Sequence, residues 1–220
     1  MIKGITMKKG DFIKIDYIGR LESGEIFDLT DEELAKKENI HNPKARYKPL
    51  PMIIGAGFVI SGLDKALLDM SAGEKKTIEV KPEDGFGSRE PELVKIFPEK
   101  YFDQKVNPGM IIDFPDPSGT VRGRVQSVSA GRVRIDFNHP LAGKTLLYEV
   151  EIKEEIEQPE KRIEALLDFF DVQSKVSISG NEVEIEAKAP EAIKERISSL
   201  IFEYLDFDKV KFSTTFEKQK

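Results

Sequence analysis

A turn followed by a strand occupies residues 138–152, which read Asn138-His139-Pro140-Leu141-Ala142-Gly143-Lys144-Thr145-Leu146-Leu147-Tyr148-Glu149-Val150-Glu151-Ile152. The second half alternates apolar side chains with glutamates, which predicts a half-buried β-strand. The first half continues a pattern that was interrupted after Asp84-Gly85-Phe86-Gly87. Residues 88–137 lie between the two parts, and they are too many for a bare loop inside a compact domain. The sequence therefore predicts a small domain inserted into another one.

The segments before residue 88 predict an antiparallel sheet that packs on one short helix. Ile13, Ile15 and Tyr17 alternate with polar residues, as in a half-buried strand. The other elements expected here are a strand at residues 49–54, a helix at 63–70 and a strand at 77–80. The fold class is accordingly α+β, with an antiparallel sheet wrapped on a short helix.

The inserted block has strand patterns of its own. Residues 110–112 are apolar, and alternating stretches at 120–128 and 133–137 flank the turn Ser129-Ala130-Gly131. These patterns predict a small all-β unit, whose two ends must lie close together for the insertion to be tolerated.

A third pattern follows residue 154. Pro159 and Pro190 each suit the first turn of a helix that carries one apolar stripe. Between the helices, Gly180-Asn181 separates two alternating segments, as in a hairpin. A closing strand is expected over residues 210–216, so the element order predicts a compact α+β module.

These patterns together predict three parts. Residues 1–87 and 138–154 form a discontinuous first domain, residues 88–137 form an inserted domain, and residues 155–220 form the C-terminal α+β module.

Composition argues against several classes of function. The net charge of −6, without a concentrated basic face, argues against nucleic-acid binding. The chain has no cysteine and only two histidines, His41 and His139, so we expect no metal site and no cofactor. No apolar run is long enough to span a membrane, and Met1–Met7 lacks the apolar core of a signal peptide. The expected location is cytoplasmic.

Two glycine motifs fail as phosphate-binding loops. Gly55-Ala56-Gly57 begins like a dinucleotide fingerprint, but Ile60 occupies the position of its third glycine. Gly143-Lys144-Thr145 is similar to the end of a phosphate loop, but Asn138 stands where that loop requires glycine.

Four motifs, taken in order, resemble those of the FKBP-type peptidyl-prolyl isomerases. They are Phe27-Asp28, Val59-Ile60, Asp84-Gly85-Phe86-Gly87 and the strand that carries Tyr148. The inserted block and the turn that starts at Asn138 are similar to the SlyD-type branch in particular. The resemblance spans about residues 8 to 153, and the C-terminal module looks like the extension of longer archaeal-type members. It implies a prolyl cis-trans isomerase, or rotamase, that acts on unfolded or partly folded polypeptides containing X-Pro bonds.

The resemblance also implies the residues of the site. The catalytic positions correspond to Tyr17, Phe27, Asp28, Phe86 and Tyr148. The substrate-binding positions correspond to Leu50, Val59, Ile60, Leu63 and Arg46. By this resemblance, the Ile60 region offers a backbone amide to the substrate carbonyl, Asp28 lies beside the reacting imide, and Arg46 pairs with Asp28.

Three positions depart from the family pattern. Leu63 stands where many members have tryptophan, Leu50 replaces an aromatic residue, and Phe86 replaces a tyrosine. The pocket should still accept a prolyl ring, whereas these changes argue against binding of the family's macrolide ligands. The histidine- and cysteine-rich tail of some SlyD-type proteins is missing, so nickel storage is not expected.

The insert carries more apolar residues than a unit of its size readily buries. They are Leu93, Ile96, Phe97, Tyr101, Phe102, Met110, Ile111 and Ile112. An exposed groove or strand edge built from them would bind extended segments of unfolded chains. The alternative is that these side chains form the insert's own core.

Three functions stay open from the sequence. The first is a prolyl isomerase that also holds unfolded chains. The second is a peptide-binding chaperone whose isomerase pocket is weak or idle. The third is a scaffold that forms a homodimer through the C-terminal module.

Overall fold

The computed structural model describes residues 6–117 and 119–214. The N-terminal segment and Phe216 of the expected closing strand lie outside these ranges. The described chain is α+β, as the sequence predicts, and it divides into two compact units. The first unit runs to Val80 and resumes at Leu146, and the second comprises Lys81–Thr145.

The strands, in chain order, are β1 (Phe12–Leu21), β2 (Ile26–Leu29), β3 (Leu50–Ile53), β4 (Lys75–Val80), β5 (Val94–Pro98), β6 (Ile111–Asp116), β7 (Gly119–Ser129), β8 (Arg132–Asp136), β9 (Leu146–Glu155), β10 (Ser174–Ser179), β11 (Glu182–Ala187) and β12 (Lys209–Ser213). The helices are α1 (Glu32–Lys37), α2 (Ser61–Leu67), α3 (Pro159–Phe169) and α4 (Glu191–Tyr204). Among the described residues, no helix is both long and apolar enough to cross a membrane.

Strand β1 is the centre of the sheet in the first unit, which has the order β2-β1-β9-β4. The side chains of Ile13 and Ile15 are fully buried, as the alternating pattern predicts. Strand β9 pairs with β1 along nearly its whole length, from Ile13 opposite Glu155 to Leu21 opposite Leu146. Strands β2 and β3 share the other edge of β1, each at one end.

Thr30 fills the gap that β2 and β3 leave on the edge of β1. The backbone N–H of Tyr17 donates to the Thr30 hydroxyl oxygen at 3.0 Å, and the Thr30 N–H donates to the Tyr17 carbonyl at 3.0 Å. The Thr30 hydroxyl donates in turn to a carboxylate oxygen of Asp16 at 2.9 Å. The polar backbone of β1 is thus satisfied at a point where no strand continues.

Helix α2 packs against β4 in the first unit. Its apolar positions Leu63 and Leu67 are buried, as is Met70 just after the helix. The Ile60 carbonyl accepts the backbone N–H groups of Leu63 and Asp64, both at 3.0 Å, so Ile60 starts the helix.

The second unit contains an antiparallel sheet of order β5-β8-β7-β6. Its core consists of Val106, Val125, Val133 and Ile135. Gly123 is required at the centre of this sheet, because a Cβ atom there would lie 2.4 Å from a methyl carbon of Ile135. The chain enters and leaves the sheet side by side, since the Glu90 N–H donates to the Asn138 side chain at 2.8 Å.

The C-terminal segment adds the sheet β10-β11-β12, in which β11 and β12 are parallel, and the helices α3 and α4. Its apolar residues do not form a separate core. Ile163, Leu166 and Ile197 share one buried cluster with Phe12 of β1 and Ile53 of β3. The C-terminal segment is therefore packed on the first sheet, and it belongs to the same compact unit.

This shared core leads to a stability prediction. Leu166 is 1% exposed, so Leu166→Ala should lower the free energy of unfolding of the chain by about 2–5 kcal/mol. Leu68→Ala removes the same atoms at a position that is 36% exposed, and it should change stability by no more than about 0.5 kcal/mol. Urea unfolding followed by circular dichroism gives both values, and equal losses would contradict the shared core.

Candidate active site

The structure brings together four of the side chains that the sequence assigns to the site. The Tyr17 hydroxyl donates a hydrogen bond to a carboxylate oxygen of Asp28 at 2.8 Å. The Tyr148 ring lies 6.0 Å from the Tyr17 ring and meets the Phe27 ring edge to face at 5.6 Å, measured between ring centroids. One carboxylate therefore sits beside a wall of three aromatic rings.

A β-bulge in β2 places Phe27 in this wall. Gly19 pairs with Asp28 and Arg20 pairs with Ile26, so Phe27 is the extra residue that has no partner on β1. Its ring lies over Gly19, where an added Cβ atom would come within 2.6 Å of the ring. Glycine is needed at this position because the ring approaches the backbone so closely.

Burial and the charge of Asp28 keep both phenols protonated. Burial raises the pKa of Tyr17 far above its ordinary value, and the charge and hydrogen bond of Asp28 raise it further. Burial, and then the charge of Asp28, raise the pKa of Tyr148 to about 12. The Tyr17 hydroxyl therefore stays protonated, and able to donate to Asp28, at a pH where an exposed tyrosine would ionise.

A cavity of about 410 Å³ lies beside the cluster. Its lining includes Tyr17, Phe27, Asp28, Arg46 and Leu50. Three of the five expected catalytic residues and two of the five expected substrate-binding residues thus line one cavity. The other expected residues are not part of its lining: Phe86, Tyr148, Val59, Ile60 and Leu63.

Arg46 does not make the expected pair with Asp28. Its Nη2 atom lies 2.6 Å from a carboxylate oxygen of Asp168, and its Nη1 atom lies 3.1 Å from Asp171. Both carboxylates belong to the C-terminal segment, at the end of α3. The Arg46 guanidinium is therefore bound at the end of this helix. The sequence could not indicate this pairing, because 122 positions separate Arg46 from Asp168.

Val59, Ile60 and Leu63 lie at the start of α2. Leu63 is buried, and Val59 and Ile60 are half-buried. Within the described residues, the Ile60 N–H makes no hydrogen bond to a backbone carbonyl. An N–H group at a helix start can donate to a ligand carbonyl.

Phe86 belongs to the second unit, where it stacks on His139. The two rings are nearly parallel, with an interplanar angle of 2° and centroids 4.2 Å apart. The turn that follows is held by the Leu141 N–H, which donates to His139 Nδ1 at 3.2 Å, and by the Gly143 N–H, which donates to the Gly87 carbonyl at 2.8 Å. His139 therefore has a structural role beside Phe86.

Half of the apolar residues that the sequence offers to client chains serve the insert itself. Four of the eight pack on the insert core: Phe97, Phe102, Met110 and Ile112. These four therefore do not form the exposed surface that client binding requires, and the alternative of an insert core applies to them. The reason is physical: one face of a four-stranded sheet needs them to exclude water. The three that stay exposed are Ile96 at 60%, Tyr101 at 70% and Ile111 at 68%, while Leu93 is half-buried.

Comparison with known proteins identifies the family. Residues 3–153 match the family described as FKBP-type peptidyl-prolyl cis-trans isomerase. The chain belongs to this family. It is 34% identical over 151 residues to the short-type peptidyl-prolyl cis-trans isomerase of Methanocaldococcus jannaschii, an alignment that covers 67% of this chain and 93% of that relative.

Two bacterial relatives agree. A probable FKBP-type 16 kDa isomerase of Pseudomonas fluorescens is 33% identical over 142 residues, which cover 64% of this chain and 85% of the relative. The isomerase SlyD of Helicobacter pylori is 34% identical over 107 residues, which cover 48% of this chain and 58% of the relative. The predicted family, its SlyD-like branch and the rotamase activity are confirmed. The enzyme acts on polypeptides with X-Pro bonds.

This reaction makes few demands on a protein. Rotation about a peptide bond faces a barrier of about 18–20 kcal/mol, and X-Pro bonds populate both isomers. No covalent bond breaks, so neither a nucleophile nor a metal is needed. Within residues 6–117 and 119–214, no group of three or more histidine, aspartate or glutamate side chains could hold a metal ion.

Sequence reasoning missed two residues that build the site. Thr30 anchors β1 beside Tyr17, and it gives no signal because its role depends on a gap between two distant strands. Gly19 does give a signal, since a glycine inside an alternating strand often marks a close approach of another group. Only the structure identifies that group as the ring of Phe27.

The Tyr17 hydroxyl supplies a first test of the site. Tyr17→Phe removes the hydrogen bond to Asp28 and keeps the ring, so kcat/KM for a short prolyl peptide should fall about three- to tenfold. Tyr204→Phe removes a hydroxyl in α4 and should leave kcat/KM unchanged. A Tyr17→Phe enzyme with wild-type kcat/KM would show that this hydrogen bond has no part in catalysis.

The raised tyrosine pKa values predict a loss of stability at alkaline pH. In the unfolded chain, phenols ionise near pH 10, while folded Tyr148 keeps its proton up to about 12. The folded state therefore binds more protons above pH 10, and the free energy of unfolding should decline as pH rises from about 10 to about 12. Urea unfolding at several pH values should show a shallower decline for Tyr148→Phe than for Tyr101→Phe. Parallel curves would contradict the burial of this phenol.

Proposed function

We propose that the cluster of Tyr17, Phe27, Asp28 and Tyr148 binds the prolyl residue and is the catalytic site. The observation that supports this most strongly is the 2.8 Å hydrogen bond from Tyr17 to Asp28 inside a wall of aromatic rings. Resonance makes the planar amide more charge-separated than its twisted transition state. An apolar wall therefore disfavours the planar form more and lowers the barrier to rotation.

The remaining expected residues have supporting roles in this proposal. Leu50 lines the cavity and offers apolar contact. The family pattern gives Ile60 the role of offering a backbone N–H to the substrate carbonyl. Asp28 accepts from Tyr17, and its charge can stabilise the twisted geometry or orient its neighbours. The assignment of Phe86 to the site rests on the family pattern alone and stays a prediction.

We further propose that the insert binds unfolded segments of the substrate protein whose prolyl bond is isomerised at the catalytic site. Ile96 and Ile111 are exposed, and they lie on the two edge strands β5 and β6. An edge strand has unpaired backbone groups that can pair with an extended chain. Ile96 lies opposite Arg134 and Ile111 lies opposite Arg124, so each apolar side chain has a charged cross-strand neighbour. Such mixed surface suits weak binding of many sequences.

Binding of a substrate chain to the insert would raise the local concentration of its prolines near the isomerase site, because the insert and the isomerase site belong to the same enzyme molecule. This predicts that a short peptide and a refolding protein depend on the insert to different degrees. A short prolyl peptide requires only the catalytic site, whereas a slow-refolding protein gains from both sites.

A double variant on the insert tests this difference. Ile96→Ser with Ile111→Ser should lower acceleration of a proline-limited refolding reaction at least about fivefold and leave kcat/KM for a short peptide unchanged. Ile178→Ser changes an exposed isoleucine in β10 and is the matched control. If the double variant refolds the protein as fast as wild type, these two side chains do not bind clients.

Replacing residues 88–137 with a short glycine linker extends the test to the whole insert. Loss of protein refolding with intact peptide activity supports the proposal. Unchanged protein refolding after this replacement would remove the insert from the mechanism.

Dimerisation through the C-terminal module and a cytoplasmic location stay predictions. The apolar surface that the module leaves for a partner is small, with Phe202 of α4 51% exposed, because most of its apolar residues are buried within the chain. Light scattering of the full chain decides the oligomeric state, and cell fractionation decides the location.

A further inference from the structure

The end of helix α3 reaches the loop that lines the proposed prolyl site. A carboxylate oxygen of Asp168 lies 2.6 Å from Nη2 of Arg46, and the Asp168 carbonyl accepts from Nη1 of Arg46 at 2.7 Å. The same carboxylate pairs with the ammonium group of Lys48. Arg46 and Lys48 both line the cavity that contains Tyr17 and Asp28. One side chain beyond the family match thus holds two residues of the cavity wall.

The residues next to Asp168 contact a second segment of the first unit. The Phe58 ring lies 4.4 Å from the Phe169 ring and 6.5 Å from the Phe170 ring, measured between centroids. Phe58 comes directly before Val59 and Ile60, which are the proposed substrate-binding residues at the start of α2. The end of α3 is therefore in contact with two separate segments, the Arg46–Lys48 loop and the residue that precedes Val59.

The helix that carries these contacts is itself held firmly. Ile163 and Leu166 of α3 are buried in the core shared with Phe12 and Ile53 of the first sheet. The position of the Asp168 backbone is thus set by buried packing and does not depend on its own half-buried side chain. An isolated exposed ion pair contributes little, but a carboxylate on a rigid helix that binds two cations restricts both of them.

The charge arrangement supports the same conclusion. Burial by itself would raise the pKa of Asp168, but hydrogen bonds and charge from Lys48 and Arg46 outweigh it and lower that pKa. Asp168 and Asp171 both engage the guanidinium of Arg46. Asp28 has the Tyr17 hydroxyl as a hydrogen-bond donor.

We propose that Asp168 is a positioning residue of the isomerase, through which the C-terminal module holds the Arg46–Lys48 loop in its substrate-binding arrangement. Asp168 acts through Arg46 and Lys48 and does not touch the substrate. The proposal rests on the assignment of the prolyl site to the Asp28 cavity. It gives the segment after residue 155 a role in catalysis that differs from dimerisation.

The test uses Asp168→Asn in the full chain, because removing the module would expose the shared core. At low salt, kcat/KM for a short prolyl peptide should fall about three- to tenfold, mainly through a higher KM. Glu184→Gln breaks a similar exposed ion pair, with Lys211 at 2.8 Å, elsewhere in the same module and is the control. The two variants should have unfolding midpoints within about 2 °C of each other. Asp168→Glu should restore part of the lost activity.

Salt dependence separates positioning from a general structural effect. Added salt screens exposed ion pairs, so activity of the wild type should fall toward that of Asp168→Asn as salt rises to about 1 M. The activity of Asp168→Asn should change much less than that of the wild type as salt rises, because its ion pairs with Arg46 and Lys48 are already lost. If Asp168→Asn matches Glu184→Gln at low salt, or if salt affects all three enzymes equally, the proposal is overturned.

Two further variants keep the outcome interpretable. Should Asp168→Asn be unfolded at the assay temperature, Arg46→Gln with Lys48→Gln removes the two cations and leaves α3 intact, and it should show the same loss and the same flat salt response. Asp28→Asn distinguishes the two levels of inference. If Asp28→Asn is fully active, the site assignment fails; if it is impaired while the Asp168 variants are not, only the positioning role fails.

Discussion

The pairing of β1 with β9 is the constraint on which the rest of the molecule depends. Strand β1 contributes Phe12 to the core beneath the C-terminal module and Tyr17 to the proposed site. Its far edge is shared by two short strands, and Thr30 completes the hydrogen bonds between them. Because one strand serves the sheet, the site and the docked module, a shift in its register would disturb all three.

The site illustrates how little chemistry this reaction requires and how much geometry. Isomerisation needs an apolar wall with a few oriented polar groups, since no bond is made or broken. Phe27 reaches that wall because a bulge adds one residue to β2, and the ring can lie there because position 19 has no side chain. The two phenols resist ionisation at alkaline pH because they are buried beside a carboxylate.

The sequence was sufficient to predict most of the strands and the short helix of the first domain. Alternation in β1 and β9 predicted the sheet, and helical spacing predicted the short helix, because both patterns arise from local geometry. The sequence did not predict the partners of charged side chains or which apolar side chains are buried. Arg46 was expected beside Asp28 and instead pairs with Asp168, and half of the insert's apolar surplus proved to be its own core. Composition counts apolar residues, whereas exposure depends on which face of a sheet is covered.

By itself, the sequence determined the α+β class, the family and the rotamase activity, because these follow from ordered local motifs and periodic burial. Only the tertiary structure decided that the C-terminal segment shares a core with the first sheet, and that α3 ends at the loop beside the proposed site. Such contacts join residues more than a hundred positions apart. They depend on how separate elements pack, and no local pattern in a single sequence encodes that packing.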